Sequence, residues 1–460
     1  METPRTFAKE ELKRMQATYA LPNLRMKLDD RFETEKFLIQ SGAQQWTLTA
    51  GSERALLYGV YDFLRLVLGV EWPYPDRDLQ FVGNDEQQSN VHIHSRPQFK
   101  RRGLVFEVNF DADYIVASID WAAKQKLNEL FFTFLVWDEV KDRAAPELQR
   151  RGLEVTLGGH SIDYLNQKFS LYGEVGDLEY ERAFIQQLQM YVKDNPRISK
   201  LSLWPRDIAG AVDLAHYIRF CERMDEALDI PVEHIAYNAG LDWRLLEKRT
   251  STSSELPTLF AYWGRDYHMN AAPDERGERA LSNWLATNDV TVFEYYSDHF
   301  MQTDLFPPLQ KRIEKDAVEY HAAGVQGMLN LVVPYSGDDP FYKKKWYDLQ
   351  AQNSYAFSRA VWGEADARTF NIMNNELEHI LSAFTAFNVP LFPHRVVDPS
   401  VTIENEALAE RVIEQLHIAK LQIADIDDTH EEAYMEYLHQ RLHTLQASWT
   451  RLLKMSKTDR

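Results

Sequence analysis

The feature that most constrains the fold is a regular alternation of short apolar segments and amphipathic segments from Arg101 to about Tyr335. The apolar segments have the length of β-strands, and most intervals between them have the 3.6-residue period of α-helices. Eight such repeats in about 235 residues predict an α/β fold of the (β/α)8 (TIM) barrel type, which typically takes ~250 residues. The predicted strands are Gly103–Val108, Leu130–Val136, Leu153–Leu157, Leu201–Trp204, His234–Tyr237, Leu259–Tyr262, Val290–Tyr296 and Gly327–Val333.

The regions on either side of this alternation have different patterns. Before it, the β-like segments Phe37–Gln40 and Gln45–Ala50 precede an amphipathic segment that runs to Leu68 and stops at Gly69. After it, helical periodicity continues and no strand pattern returns. We therefore expect a small N-terminal α/β domain over 1–100, a barrel over 101–340 and a C-terminal α-helical region over 341–460.

Charge and cysteine content exclude several classes of protein. The chain has 51 Lys and Arg against 70 Asp and Glu, and its net charge of -19 disfavours nucleic acid and membrane surfaces as partners. The single cysteine, Cys221, cannot form an internal disulfide. Because Met1–Ala20 has no signal-peptide pattern and no segment reaches the ~18 apolar residues of a membrane span, we expect a cytoplasmic protein. The sequence is compatible with a homo-oligomer and does not determine the oligomeric state.

Carboxylates and aromatic side chains are concentrated after the predicted strands, at the end of a barrel where active sites lie. Sugars stack apolar ring faces on aromatic rings and hydrogen-bond through their hydroxyl groups, so these side chains suit an oligosaccharide substrate. Glycosidic cleavage needs two carboxyl groups, and the catalytic candidates are Asp207 and Glu294. The candidate substrate-binding residues are Glu107, Trp137, His160, Trp204, Asn238, Tyr262, Arg265, Tyr296, Asp298 and Tyr335.

Each catalytic candidate also has a structural interpretation. Asp207 precedes a predicted helix that starts near Ile208, so it is either an acid catalyst or the N-cap of that helix. Glu294 lies in an otherwise apolar strand, where it either serves a ligand or forms a buried salt bridge. In the second case its role passes to Glu107 or Asp298.

A metal centre is the remaining alternative. His92 and His94 have the HxH spacing of metal-dependent amidohydrolases, but they precede the first barrel strand, and an alternating strand explains the spacing. No glycine-rich phosphate loop or nucleophile elbow is present in the sequence. The sequence therefore predicts neither a metal nor a cofactor.

Two parts of the chain resemble known families. Leu48–Leu64 followed by Gly69–Pro75 resembles the α/β domain ahead of the barrel in family 20 hexosaminidases and family 67 α-glucuronidases. The barrel region resembles a less characterised family found beside glycan-degrading enzymes. The matching segments are Arg102–Gly103, Trp121–Asn128, Arg151–Leu153, Gly158–His160, Trp204–Asp207 and Glu294–Tyr296. The resemblance covers about residues 35–365 and implies a glycoside hydrolase.

One departure from these families bears on mechanism. Family 20 enzymes have an adjacent Asp-Glu pair after strand four, whereas this chain has only Asp207. This favours two-carboxylate hydrolysis over substrate-assisted chemistry. The family 67 resemblance and the nearly opposite strands four and seven favour inversion, which requires carboxyl groups roughly 6.5–9.5 Å apart. We expect exo-type removal of a terminal sugar from short oligosaccharides; the alternative is a non-catalytic carbohydrate-binding protein.

Overall fold

The structure is a computed structural model, and it divides the chain into two compact units. The described residues are 2–72, 75, 80–81, 90–207, 213–238, 243–247, 254–268, 274–296, 308–332, 372–384, 406–426 and 432–458. The first unit comprises Met1–Trp263, Asp274–Tyr295 and Val318–Val332, and the second comprises Gly264–Pro273, Tyr296–Ala317 and Val333–Arg460. In the described part of the chain, no helix is long and apolar enough to cross a lipid bilayer.

The first unit begins with an α/β layer built around one sheet. Ser52 caps the helix that follows the third strand, and Gly69 ends this helix in the left-handed conformation, with φ of 61°. The apolar face of the helix packs on the sheet, whose strand order is β1-β3-β2-β6. The elements are α1 (Pro4–Thr18), β1 (Leu24–Leu28), β2 (Phe37–Gln40), β3 (Trp46–Ala50), α2 (Glu53–Leu68), β4 (Val70–Glu71), β5 (Gln80–Phe81) and β6 (His92–Ser95).

Eight parallel strands follow and form a barrel, which confirms the predicted fold class. Their order around the barrel is their order in the chain, and the first pairs with the last. The remaining gap, between the fourth and fifth strands, is bridged by a backbone hydrogen bond of 2.9 Å from Glu233 to Leu201. The strands are β7 (Arg101–Phe106), β8 (Glu129–Thr133), β9 (Glu154–Gly159), β10 (Lys200–Leu203), β11 (His234–Tyr237), β12 (Thr258–Ala261), β13 (Val290–Glu294) and β14 (Gly327–Val332).

Helices occupy most of the described intervals between these strands, as the periodicity predicts. They are α3 (Ala112–Lys124), α4 (Phe134–Arg151), α5 (Ile162–Phe169), α6 (Leu178–Asp194), α7 (Leu214–Ala227), α8 (Glu275–Leu285) and α9 (Gln310–Ala323). The C-terminal part of the second unit contains α10 (372–381), α11 (Glu406–Ala424) and α12 (Glu432–Thr458), which share one apolar core.

The predicted second barrel strand is too long. Strand β8 ends at Thr133, whose hydroxyl group accepts a hydrogen bond from the Val136 amide and caps α4. Trp137 therefore lies in a helix, with 1% of its surface exposed, and does not follow a strand as predicted. The continuous apolar run after Leu130 fits a buried strand and a buried helix equally well, so periodicity alone could not place the boundary.

An ionic cluster closes the floor of the barrel interior. The guanidinium group of Arg101 donates to Glu129 at 2.7 Å, to Glu233 at 2.6 Å and to the Thr291 hydroxyl group at 3.0 Å. Both carboxylates are at most 1% exposed. Burial alone would raise the pKa of Glu129, but the charge and hydrogen bonds of Arg101 hold that pKa at about 2.

Replacing Arg101 with Met should lower the unfolding free energy by about 3–5 kcal/mol, because two buried carboxylates lose their common cation. Urea denaturation of wild type and variant measures this difference. Arg31→Met removes the exposed Arg31–Asp29 pair and should leave stability nearly unchanged. An equally small effect for Arg101→Met would contradict the role of the cluster.

Acid should reduce the stability that Glu129 contributes. Its folded-state pKa of about 2 lies below the ordinary value of 4.5, so its contribution is complete above pH 4.5 and is lost as pH falls toward 2. The difference in unfolding free energy between wild type and Glu129→Gln should therefore shrink over this range. Thr291→Val removes a neutral partner of Arg101 and serves as the control. Its difference in unfolding free energy from wild type should stay constant over the same pH range.

Candidate active site

Aromatic rings fill the barrel interior above the ionic floor. Phe293 lies on the same face of β13 as Thr291, whose side chain contacts Arg101 inside the barrel. The ring centroid of Trp204, the residue after β10, lies 5.2 Å from that of Phe131 and 5.6 Å from that of Phe293. These contacts join the second, fourth and seventh strands, so the rings meet across the barrel. Trp204 is 1% exposed and belongs to this layer.

His160 lies beyond this layer, after β9. Its ring centroid is 5.1 Å from Trp204 and 5.6 Å from Tyr237, the last residue of β11. Its Nδ1 lies 2.5 Å from the carbonyl oxygen of Pro205. Because a carbonyl oxygen only accepts, Nδ1 carries the proton, and Nε2 remains as the acceptor of a neutral ring. His160 is exposed while Trp204 and Tyr237 are buried, so the Nε2 atom of His160 lies above a layer of aromatic rings.

Two glycines position His160. A Cβ atom on Gly158 would lie 1.7 Å from the carbonyl oxygen of Ser202, and Gly159 has a φ of 73°, where residues with side chains are strained. The backbone therefore turns at the end of β9 as the Gly-Gly-His sequence predicts.

Asp207 is exposed and lies close enough to His160 to influence its proton affinity. Helix α7 begins at Leu214, and its N-cap is Asp213, whose carboxylate accepts from the Ala215 amide at 2.9 Å. Asp207 is therefore not the cap of α7, so the structural alternative considered for it does not apply to this helix. Residues 208–212 lie outside the described part of the chain.

The surrounding protein lowers the pKa of His160 by desolvation, although part of the ring is exposed at the barrel end. The Pro205 carbonyl group and the negative charge of Asp207 act in the opposite direction. The net lowering keeps the imidazole neutral near pH 7, which suits it to accept a hydrogen bond from a hydroxyl group.

Glu294 has a different environment from the one predicted. It follows Phe293 on β13, so its side chain leaves the opposite face of the strand and is only 4% exposed. Tyr320, on α9, donates a hydrogen bond to its Oε1 atom. The structure thus places this carboxylate between strand and helix and does not bring it together with Asp207 inside the barrel.

Glu107 is the described carboxylate that follows the first barrel strand. It comes directly after β7, whose interior positions are Arg101, Gly103 and Val105. It is half-buried, and its carbonyl oxygen accepts a hydrogen bond of 2.8 Å from Thr133. Glu107 therefore replaces Glu294 as the candidate second carboxylate.

Asn238 and Tyr262, two other predicted binding residues, form hydrogen bonds to the segment between β12 and β13. Asn238 is 1% exposed; its amide group donates to the carbonyl oxygen of Trp263 at 2.6 Å and accepts from the Trp263 backbone amide at 2.9 Å. Tyr262 donates to Asp274, the N-cap of α8, so its ring faces the helix layer. These contacts give both side chains structural roles.

Arg265 and Tyr296 belong to the second unit, where they meet at one carboxylate. Asp316, which is 1% exposed, accepts from Arg265 at 2.5 Å and from the Tyr296 hydroxyl group at 2.8 Å. Arg312 also donates to it. The remaining predicted residues, Asp298 and Tyr335, lie outside the described residues.

Phe293 is the member of the aromatic layer that the sequence pattern did not single out. Its ring centroid lies 4.6 Å from that of Tyr295, and with Tyr237 both are buried at the ends of their strands. Counting alternate positions along β13 would have found Phe293. Asn109, which follows the first barrel strand, is 2% exposed, and its Nδ2 atom has no hydrogen-bond partner. Among the described residues, no group of three or more His, Cys, Asp or Glu side chains could hold a metal ion.

The fold resembles those of solved glycoside hydrolases. A GH138 enzyme targeting pectin rhamnogalacturonan II aligns with a TM-score of 0.61 at 10% identity, covering 99% of this chain and 68% of that chain. A GH20 exo-β-N-acetylglucosaminidase from Vibrio harveyi aligns with a TM-score of 0.49 at 11% identity, covering 81% and 74%. A GH20 β-N-acetylhexosaminidase from Streptomyces coelicolor A3(2) gives 0.49 at 14% identity, covering 78% and 84%.

No protein-family model and no curated protein matches the chain. At 10% identity the likeness to the GH138 enzyme establishes the fold alone. The predicted barrel fold of the glycoside hydrolases is confirmed, and the activity has to be argued from the site.

The imidazole of His160 should titrate below its ordinary value of 6.5, because the surrounding protein disfavours the charged ring. Asp207→Asn should lower the midpoint further, because it removes a negative charge that favours protonation. Histidine-selective NMR titration measures both midpoints. Asp29→Asn, in the N-terminal layer, should leave the midpoint unchanged; an unchanged midpoint in Asp207→Asn would show that Asp207 does not act on His160.

Proposed function

We propose that the protein is a glycoside hydrolase whose active site lies where the barrel strands of the first unit end. The observation that carries the proposal is the position of exposed His160 above buried aromatic rings, at the end of the barrel where barrel enzymes have active sites, with exposed Asp207 following the neighbouring strand β10. The barrel fold shared with a GH138 glycoside hydrolase supports the same conclusion.

In the proposed reaction, Asp207 is the general acid. Its carboxyl proton passes to the glycosidic oxygen as the bond from that oxygen to the anomeric carbon breaks. Asp207 is exposed in the free protein, so a bound sugar can reach its carboxyl group.

Glu107 is the proposed base. In the inverting mechanism, which the family 67 resemblance favours, its carboxylate takes a proton from a water molecule, and the water oxygen forms the new bond to the anomeric carbon from the face opposite the leaving oxygen. The Nε2 atom of His160 accepts a hydrogen bond from a hydroxyl group of the substrate. The rings of Tyr237 and Tyr295, at the strand ends, contribute apolar surface to the wall of the site.

The proposed substrate is a short oligosaccharide from which a terminal sugar is removed in the cytoplasm. Fragments of pectin belong among the candidates, because the GH138 neighbour targets pectin rhamnogalacturonan II. The net charge of -19 disfavours long-range attraction of a polyanion, which supports short fragments over an acidic polymer. The single cysteine, Cys221, is buried and forms no disulfide within the chain, so the protein needs no oxidising compartment to fold.

A non-catalytic carbohydrate-binding protein is the second candidate. The observation that favours it is the position of Glu294, one of the two carboxylates expected to act together, which is held by Tyr320 outside the barrel interior. Binding needs only the aromatic wall and the polar groups of His160 and Asp207. The two candidates differ in whether Glu107 and Asp207 act on a bond.

Aryl glycosides, aryl uronides and a natural oligosaccharide library should identify at least one substrate that the purified protein cleaves. Asp207→Asn and Glu107→Gln should each reduce kcat by about 10²–10⁴-fold on substrates with poor leaving groups. Glu294→Gln should reduce stability more than kcat, because its carboxylate packs against α9. Asp29→Asn is the control for loss of an acidic side chain elsewhere.

The anomer released first, observed by NMR, tests the inverting mechanism; initial retention would exclude Glu107 as a simple base. Calorimetric binding of library sugars without any product, unaffected by Asp207→Asn, would establish the binding-protein alternative. Cleavage that survives both carboxylate substitutions would refute the proposed catalytic pair.

A further inference from the structure

Two histidines lie side by side on the N-terminal sheet, separate from the barrel interior. His92 and His94 occupy alternate positions of β6, so both side chains leave the same face of the strand. Their Nε2 atoms are 2.9 Å apart, and their ring centroids are 4.9 Å apart. Both rings are exposed, and β6 is the terminal strand of the described sheet, so the pair is open to solvent.

We infer that His92 and His94 form a two-nitrogen site for a divalent transition-metal ion. An ion ~2.0–2.1 Å from each Nε2 atom would make an N–metal–N angle of about 90° at this separation. That angle is the one between neighbouring positions in square-planar or octahedral coordination, which Cu²⁺ and Ni²⁺ adopt, whereas tetrahedral Zn²⁺ prefers a wider angle. Water completes the coordination, because both rings face solvent.

Gln40 is placed to orient one of the two ligands. It lies directly opposite His92 in the antiparallel pair of β2 and β6, and its amide group is 3.2 Å from the Nδ1 atom of His92. When Nε2 binds a metal, Nδ1 carries the proton and needs an acceptor. Rotation of the Gln40 amide presents its oxygen to that proton, so Gln40 is a positioning residue of the site.

This site is independent of the proposed glycosidase function. Its residues belong to the N-terminal sheet, and the chemistry proposed for Asp207 and Glu107 uses no metal. The sequence predicted no metal because the HxH pair precedes the first barrel strand. That position of His92 and His94 argues against a catalytic metal at the ends of the barrel strands, but it allows a metal ion on the surface of the N-terminal sheet.

A second histidine pair supplies an internal comparison. His439 and His443 are four residues apart on α12, a spacing that puts both on one side of the helix. His443 is exposed, and its Nδ1 lies 3.5 Å from the ammonium group of Lys420. A cation at this distance disfavours binding of a metal ion, so we expect the strand pair to bind first.

Isothermal titration of the full chain, carrying no polyhistidine tag, with CuCl₂, NiCl₂ and ZnCl₂ tests the inference. We expect the tightest binding to hold one ion per chain, with affinity falling from Cu²⁺ to Ni²⁺ and to Zn²⁺. His92→Asn and His94→Asn should each lower the Cu²⁺ affinity at least about tenfold. Gln40→Leu should lower it less, and His443→Asn should leave it unchanged.

Electron paramagnetic resonance of the Cu²⁺-loaded protein supplies a direct view of the ligands. Coupling to two imidazole nitrogens should be present in wild type and reduced to one in either single variant. Three results would each overturn the inference. They are no Cu²⁺ binding in calorimetry at about 100 μM metal, unchanged Cu²⁺ affinity in the His92→Asn/His94→Asn double variant, and loss of Cu²⁺ binding in His443→Asn. Circular dichroism confirms that the exposed substitutions leave the fold intact.

Discussion

The ion pairs of Arg101 with Glu129 and Glu233 are the interaction on which the barrel most depends. They link the first strand to the second and to the segment before the fifth, and a hydrogen bond to Thr291 adds the seventh. Buried carboxylates without a cation would oppose closure of the strands. Because one guanidinium group serves both carboxylates, the strands have to bring these three side chains together in a single arrangement.

The N-terminal layer is joined to the barrel within the same unit by buried polar contacts. Arg54 of α2 donates to the carbonyl oxygen of Gly152 at 2.8 Å, and Tyr58, one turn later, donates to the carbonyl oxygen of Leu127 at 2.6 Å. Glu35 pairs with Arg102 at 2.9 Å, beside the ionic floor. The first two bonds satisfy backbone carbonyl groups in the segments before β8 and β9, so the layer contributes to the hydrogen bonding of the barrel.

Strand alternation decides which predicted site residues can act together. Phe293 faces the barrel interior, and the adjacent Glu294 faces α9, although both occupy the predicted end of the seventh strand. Asp207 and His160 follow their strands in irregular backbone, where Gly158 and Gly159 permit a turn that regular pleating does not. A candidate list based on strand ends therefore mixes residues of the site with residues that support the helix layer.

The sequence alone determined the eight-strand alternation, the helix that ends at Gly69 and the Gly-Gly-His turn, because periodicity and backbone preference are local properties. It did not reveal α1 or the boundary at Thr133, because these depend on what the apolar residues pack against. Only the tertiary structure decided that Glu294 bonds to Tyr320 and that Arg101 serves both Glu129 and Glu233. These contacts join residues that are far apart in the chain, so packing between distant segments decides them and residue spacing does not encode them.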